Sequence, residues 1–387
     1  MNAPPFILSP AATPLAPPGT VHARALPWHA WADDVGRSRW HALAEAATTP
    51  NPFFEPWYLI PALESFDAKG AVQLFLVELG DELVGLLPVA PMRKYGRWPF
   101  PHLASWLHAN AFLGVPLVRA GYEALFWQAL ADWADTNHGA GLFLHLAGMP
   151  LEQPLTQALF DLCHASNRTA GLVMREQRAL LFSPLGPEAY LERALTGKKR
   201  KELRRQHTRL SEQGDLEFER RSDATGIAPW IDAFLHLERT GWKGTAGSAM
   251  ACAPETETLF RKSLEQAATL GKLERLALTL DGKPIAMLAN FLTPPGSFSY
   301  KTAFDEDYAR FSPGVLLQRE NLALLNRDDI AWCDSCAAPD HPMIDSLWTE
   351  RRPIGRISVA IGGTLRRSLF NLLLKFELGR NPTGLDR

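Results

Sequence analysis

The sequence predicts an α/β protein built from two related units within its 387 residues. Two observations carry the prediction. A strand–turn–strand pattern at 72–91 (VQLFLVEL, the turn Gly80-Asp81-Glu82, LVGLLPVAP) returns at 275–292 as RLALTL, Asp281-Gly282-Lys283 and PIAMLANFL. An offset of 201 residues lays Leu79 on Leu280 and Val84 on Ile285, so strand, turn and strand lengths coincide. In both halves further strand-like sequence follows, then a helix, then a short strand: GLFLHLAG in one and DIAWCDSC in the other.

Each element has a local reason. The first 20 residues are proline-dense, without the basic start and apolar run of a secretory signal, and are expected to be a disordered leader. Residues 27–67 read as helical and irregular, interrupted at Asn51-Pro52-Phe53-Phe54. Leu125, Phe126, Ala129, Leu130 and Trp133 share one face of a helix over 121–135, and 155–167 fits another. Between the hairpins lies LERALTGKKRKELRRQHTRLSEQ at 191–213. Its Leu203, His207 and Leu210 form a buried stripe at helical spacing, and its many cations form the remainder. That face is either solvated or a rim that draws in a polyanion. The run at 364–380 is an amphipathic terminal helix, packed by default, with attachment to a membrane surface as the other reading.

Composition narrows the function classes. The chain is 46% hydrophobic and 21% charged with a net charge of −2, which fits a soluble globular protein and speaks against a dedicated nucleic-acid binder. Four cysteines make no disulfide framework, so a cytoplasmic setting is expected. Cys333-Asp334-Ser335-Cys336 is a lone CxxC without a second ligand pair, and no HExxH, GxSxG or P-loop is present, so no metal is expected.

The most informative point is Ser312-Pro313-Gly314, where strand-like sequence switches to helix. Serine is a good N-cap and proline suits the first turn. A helix start left open after a strand is an anion site, which suggests a phosphate-bearing cofactor or substrate. Arg310, Ser312 and the backbone of Gly314, Val315 and Leu316 are its candidate contacts.

Several stretches together resemble the GNAT superfamily of acyltransferases, in the branch with tandem, FemAB-like domains that includes the CelD-type proteins of cellulose and exopolysaccharide synthesis. They are KKRKELRRQHTRLSEQGDLEFE (198–219), LERTGWKGTAG (237–247), the second hairpin, YKTAFDEDYARFSPGVLLQREN (300–321) and DSCAAPDHPMIDSLWTERRPIGRI (334–357). The likeness is good in the C-terminal half and loose in the N-terminal half. It implies two tandem GNAT-like units, each a mixed, largely antiparallel sheet flanked by helices. Residues 21–190 would form the first, shaping the acceptor cleft without catalysing, and 191–387 the second, the acyltransferase itself.

The resemblance also implies a reaction: direct acyl transfer from an acyl-CoA, acetyl-CoA foremost, to an amine or hydroxyl on an envelope or polysaccharide precursor. Such transfer needs a base, an oxyanion donor and a proton for the leaving thiolate, but no metal. In the resembling proteins the loop after 237–247 approaches the acceptor. Glu238 is then the orienting carboxylate or base, Trp242 a platform and Lys243 an anion contact. Tyr300, Lys301, Asp305 and Tyr308 crowd the strand end before the phosphate helix. Asp305 is the carboxylate expected to abstract a proton, Tyr300 or Tyr308 the donor to the thiolate, and Lys301 a substrate contact. One departure stands out. The usual GNAT phosphate loop has an Arg or Gln followed by two close glycines, whereas Arg310-Phe311-Ser312-Pro313-Gly314 offers one glycine and a proline. Transfer from a charged tRNA, which needs no coenzyme A cradle, therefore stays open, as does a non-catalytic scaffold role.

Overall fold

A computed structural model of the protein describes residues 19–379. Most of the expected leader, and the end of the expected terminal helix at Arg380, lie outside the described residues.

The chain forms two compact units. The first comprises residues up to Pro56, Asp67–Glu176 and the stretch from Pro353 onward; the second comprises Trp57–Phe66 and Gln177–Arg352. The division expected at residue 190 therefore differs in two ways. A helix from the N-terminal region joins the second unit, and the C-terminal stretch returns to the first. No local pattern marks either crossing.

Along the chain, the first unit begins with β1 (Val21–Pro27) and α1 (Asp34–Glu45), where Asp33 caps the helix by accepting from Gly36 N–H at 2.7 Å. The chain then lends α2 (Pro56–Phe66), all but its first residue, to the second unit. The first unit continues with β2 (Gln73–Leu79), β3 (Glu82–Met92), β4 (His102–Ser105), β5 (Leu117–Val118), α3 (Glu123–Asn137), β6 (Phe143–Pro150) and α4 (Pro154–Ala165). Next, β7 (Ala170–Leu181) leads into the second unit.

There the order is α5 (Pro187–Ala194), α6 (Gly197–Ser211), β8 (Leu216–Arg221), α7 (Ile227–Thr240), a single turn α8 (Trp242–Thr245), α9 (Pro254–Thr269), β9 (Leu273–Leu280), β10 (Lys283–Thr293), β11 (Gly296–Phe304), α10 (Pro313–Asn321), β12 (Trp332–Asp334) and the short α11 (Pro342–Asp345). Finally β13 (Glu350–Ala360) leads back to the first unit and α12 (Thr364–Leu378) closes the chain.

In the first unit the strands run β1-β2-β3-β4-β6-β13, all antiparallel except the parallel pair β4·β6. In the second they run β7-β12-β11-β10-β9-β8, all antiparallel except β11·β12. Each is thus a mixed, largely antiparallel sheet flanked by helices. The predicted hairpins are β2·β3 and β9·β10. In the latter Asp281 and Gly282 both take positive φ, the geometry a two-residue hairpin turn requires.

The second sheet buries both faces. Leu276, Leu278, Leu280, Ala286, Leu288 and Leu292 meet Tyr190 of α5, Leu203 and Leu210 of α6, and Leu316 and Leu317 of α10. The basic stretch at 191–213 is therefore two helices rather than one. Thr196 caps the second, and the expected Leu203 and Leu210 anchor it. On the other face Phe234 of α7, Phe260 of α9 and Trp57 and Tyr58 of α2 form an aromatic stack with Phe291 and Tyr300. That alternation is the two-residue period of a strand.

Candidate functional site

The parallel pair β11·β12 holds for three residues only: Gly296 opposite Trp332, Ser297 opposite Cys333, and Phe298 opposite Asp334. Beyond that pairing β12 ends at Asp334, while β11 runs on to Phe304. At the same point β11 carries a bulge, because Ala289 pairs with Lys301 and Asn290 with Ser299, leaving Tyr300 without an opposite residue. A bulge leaves backbone groups off the ladder and re-aims the neighbouring side chain. Ligands favour the carboxyl ends of parallel strands where they diverge. Sequence reasoning missed both features, since neither a bulge nor the length of a strand pairing leaves a compositional mark here.

The end of β12 is braced by charge. Asp334 is wholly buried and pairs with Arg352 at 3.0 Å and Arg178 at 3.5 Å. It also accepts from Cys336 N–H at 2.9 Å, which fixes Cys336 in a left-handed conformation just past the strand. Burial pushes the Cys336 thiol well above its ordinary range and so keeps it protonated.

Around the bulge the structure gathers Glu238, Lys243, Tyr300 and Lys301. Glu238 continues the apolar stripe Ile231, Phe234 and Leu235 of α7, which puts a carboxylate at a core position. Its two oxygens accept from Lys243 Nζ at 2.9 Å and from Met250 N–H at 2.7 Å. Lys243 Nζ also donates to the Thr302 carbonyl of β11 at 2.9 Å. Both residues thus act as struts that hold α8 and its loop against β11. The expected orienting carboxylate Glu238 and anion contact Lys243 are thus hydrogen-bonded to each other.

Lys301 is the unusual group. Burial, and secondarily the Lys243 charge, lower its ammonium pKa to about 8, although Glu238 pulls the other way. A lysine near neutrality exists partly as the free amine at ordinary pH. Tyr300 is 2% exposed, and its hydroxyl lies 3.2 Å from that of Tyr58. Burial raises both phenols, so both stay protonated. His341, at the start of α11, is kept neutral by burial and by Lys243. Sequence reasoning missed Tyr58, Cys336 and His341 as neighbours of this cluster. For Tyr58, 242 residues away along the chain, no sequence signal could have found it.

The other expected residues lie elsewhere. Asp305 caps its turn by accepting from Asp307 N–H at 3.1 Å and pairs with Lys283 at 3.3 Å, so its carboxylate serves the turn. Tyr308 packs against the core beneath α10. Arg310 is exposed, its guanidinium 4.6 Å from the Phe311 ring. Trp242 is exposed, and its N–H donates to Glu306 at 2.6 Å.

The helix mouth differs most from expectation. Ser312 takes a left-handed conformation and makes no side-chain cap. Its carbonyl instead accepts from Val315 and Leu316 N–H at 2.9 and 3.0 Å. Those two amides are therefore not open. Gly314 is buried, with Met343 Sδ 2.8 Å and Phe304 Cδ1 3.3 Å from where a Cβ would stand. Gly314 is thus packed on its Cβ side against Met343 and Phe304. Among the described residues no group of three His, Cys, Asp or Glu side chains is placed to hold a metal.

Comparisons with known proteins agree with this geometry. A crystal structure of FemX aligns over 87% of this chain and 98% of its own, with a TM-score of 0.56 at 9% identity. A conserved protein of unknown function from Bacteroides thetaiotaomicron aligns over 85% and 98%, with a TM-score of 0.55 at 11% identity. At these identities the likeness is one of fold. No curated protein matches the sequence. Residues 197–341, which contain Glu238, Lys243, Lys301, the α10 mouth and Cys336, match the family described as the acetyltransferase (GNAT) domain. The match lies within the second unit and supports acyl transfer, in a family that takes acyl-CoA as co-substrate, as the activity housed there.

Proposed function

We propose that the second unit moves an acyl group from acyl-CoA, with acetyl-CoA the first donor to consider, directly onto an amine or hydroxyl of a cell-envelope or exopolysaccharide-related acceptor in the cytoplasm. The observation that carries this reading is the Tyr300 bulge of β11, next to the end of its pairing with β12 and to Lys301. Backbone groups released from the ladder there are donors for the oxyanion, and one such donor is worth about 10²–10³-fold in rate. Lys301 takes the proton of the acceptor amine as its nitrogen bonds the carbonyl carbon. The carbon–sulfur bond then breaks, and the departing thiolate receives that proton from Lys301. No enzyme nucleophile is needed, and a Cys336 thiol kept protonated by burial suits that. Glu238 and Lys243 are positioning residues in this scheme, and the exposed Trp242 offers the acceptor a flat apolar surface.

The α10 mouth, with its Val315 and Leu316 amides already bonded, favours one second reading, aminoacyl transfer from a charged tRNA, because that donor brings no coenzyme A pyrophosphate. Lys198, Lys201, Arg204 and Arg209 of α6 are exposed and would meet its phosphates. A thermal-shift series with coenzyme A, acetyl-CoA and longer acyl-CoAs decides between the two. The first reading expects Tm to rise with acyl-CoA, and free thiol to appear when an amine acceptor is added. No shift with any acyl-CoA, alongside RNase-sensitive retention of charged tRNA, would overturn it in favour of the second.

A further inference from the structure

Helix α12 has two apolar faces, and the described residues cover only one. Phe370 and Leu374 are buried against Phe143 and Ala360 of the first unit. The other face carries Leu365, Leu369, Leu372 and Phe376, exposed at 89%, 44%, 63% and 81%. Their i, i+4, i+7, i+11 spacing, at about 100° per residue, sets them in one narrow stripe along the helix. Four large apolar side chains in a row on an exposed helix are a contact surface rather than scattered surface residues.

A second segment extends that surface. The loop following β3, Met92-Arg93-Lys94-Tyr95-Gly96-Arg97-Trp98, exposes Met92 and Trp98 at 45% and 46% between three cations. Tyr95 ties the loop to the last turns of α12 by donating to Glu377 at 2.7 Å, and it packs with Phe370 and Leu374 in the same cluster. Arg93, Lys94 and Lys375 pair with no acid among the described residues. The nearby acids are committed: Glu377 to Tyr95, and Asp135 to Arg168 and Arg367. Burial also raises the Glu377 pKa, which weakens its charge. The surface therefore combines an apolar stripe, an exposed indole and uncompensated positive charge.

We propose that the α12 stripe and the 92–98 loop form a docking surface for an anionic lipid bilayer, with the helix lying in the headgroup plane. An apolar face with flanking cations is what such a helix presents. Tryptophan favours the same interface, since its ring is apolar and its N–H wants water. A protein partner with an apolar groove, or a second copy of this chain, would not use the three unpaired cations. No described helix is long and apolar enough to cross the membrane, so the attachment is peripheral.

The test is co-sedimentation of the full chain with vesicles of phosphatidylcholine, with or without phosphatidylglycerol. Binding is expected only to the anionic vesicles and should fall as salt rises. Arg93→Gln with Lys94→Gln should weaken binding roughly 25-fold, about 5-fold per cation. Leu372→Glu with Phe376→Glu should abolish it at every salt concentration while leaving Tm unchanged, because both side chains are exposed. Equal binding to neutral vesicles, or none to anionic ones, would overturn the proposal. So would light scattering that shows a dimer dissolved by Leu372→Glu, which would assign the stripe to a second copy instead.

Discussion

The two units share a strand plan and differ where chemistry would sit. Each has one parallel pair in an otherwise antiparallel sheet, β4·β6 in the first and β11·β12 in the second. In the second, β11 runs on to Phe304 past the end of its pairing, and α10 begins soon after at Pro313. In the first, β4 stops at Ser105, and the next helix of that length starts only at Glu123. The register sharpens the contrast. Ala289 of β10 faces Lys301, whereas its counterpart Pro88 of β3 meets Trp106, whose backbone N–H donates to the Pro88 carbonyl at 2.8 Å. One frame thus presents a near-neutral amine at a strand bulge, and the other an indole in its place. A duplicated scaffold needs only one copy to keep the reactive edge.

The largest expected effect tests the bracing of that edge. Asp334 lies between two buried arginines, and its removal leaves those charges uncompensated. Asp334→Ala should cost about 3–5 kcal/mol in urea unfolding. Asp135→Ala, in the first unit's more exposed cluster with Arg168 and Arg367, should cost about half that or less. Equal losses would remove the distinction between the two frames.

Next comes the amine. Lys301→Met should lower kcat/KM by about 10²-fold or more, without lowering Tm at pH 7, because it removes a charge that burial disfavours. Trp106→Phe should leave kcat/KM within about threefold. The sign of the pH dependence follows from the direction of the shift. A group lowered to about 8 is protonated below that pH, so kcat/KM should climb about tenfold per pH unit on the acid side and level off above about 8. A flat profile through that range would remove Lys301 as the proton carrier.

The smallest effect concerns the α10 mouth. Gly314→Ala should cost about 1 kcal/mol by crowding Met343, and Met343→Ala should relieve it. Should Met343→Ala also tighten acyl-CoA binding in calorimetry, the mouth opens to the donor and belongs to the site after all.

Much of the architecture was legible because its signals are local. The hairpins announce themselves through alternation and an Asp-Gly turn, and the basic helix through the Leu203/Leu210 spacing. Glu238 was named through the resemblance of 237–247. What escaped was set by distant partners. Tyr58 reaches Tyr300 only because a helix of the N-terminal region joins the second unit. β8, an edge strand with mostly exposed side chains, carries too little alternation to read. At the helix mouth, residue types specify a favourable helix start, but not whether a methionine from beyond β12 packs against it. Lys301 was selected for its position, but its perturbation comes from burial, which composition does not reveal.

The crossing of β7 and β13 between units has a consequence for biosynthesis. The strand that completes the first sheet is made long after β6, so β6 waits with a bare edge while the whole second unit emerges. An edge of that kind invites pairing with other nascent chains. Emergence of β13, rather than the completion of any earlier stretch, is the moment at which the sheet of the first unit can close. Shortening the C-terminus should therefore harm the half of the molecule farthest from the cut in sequence.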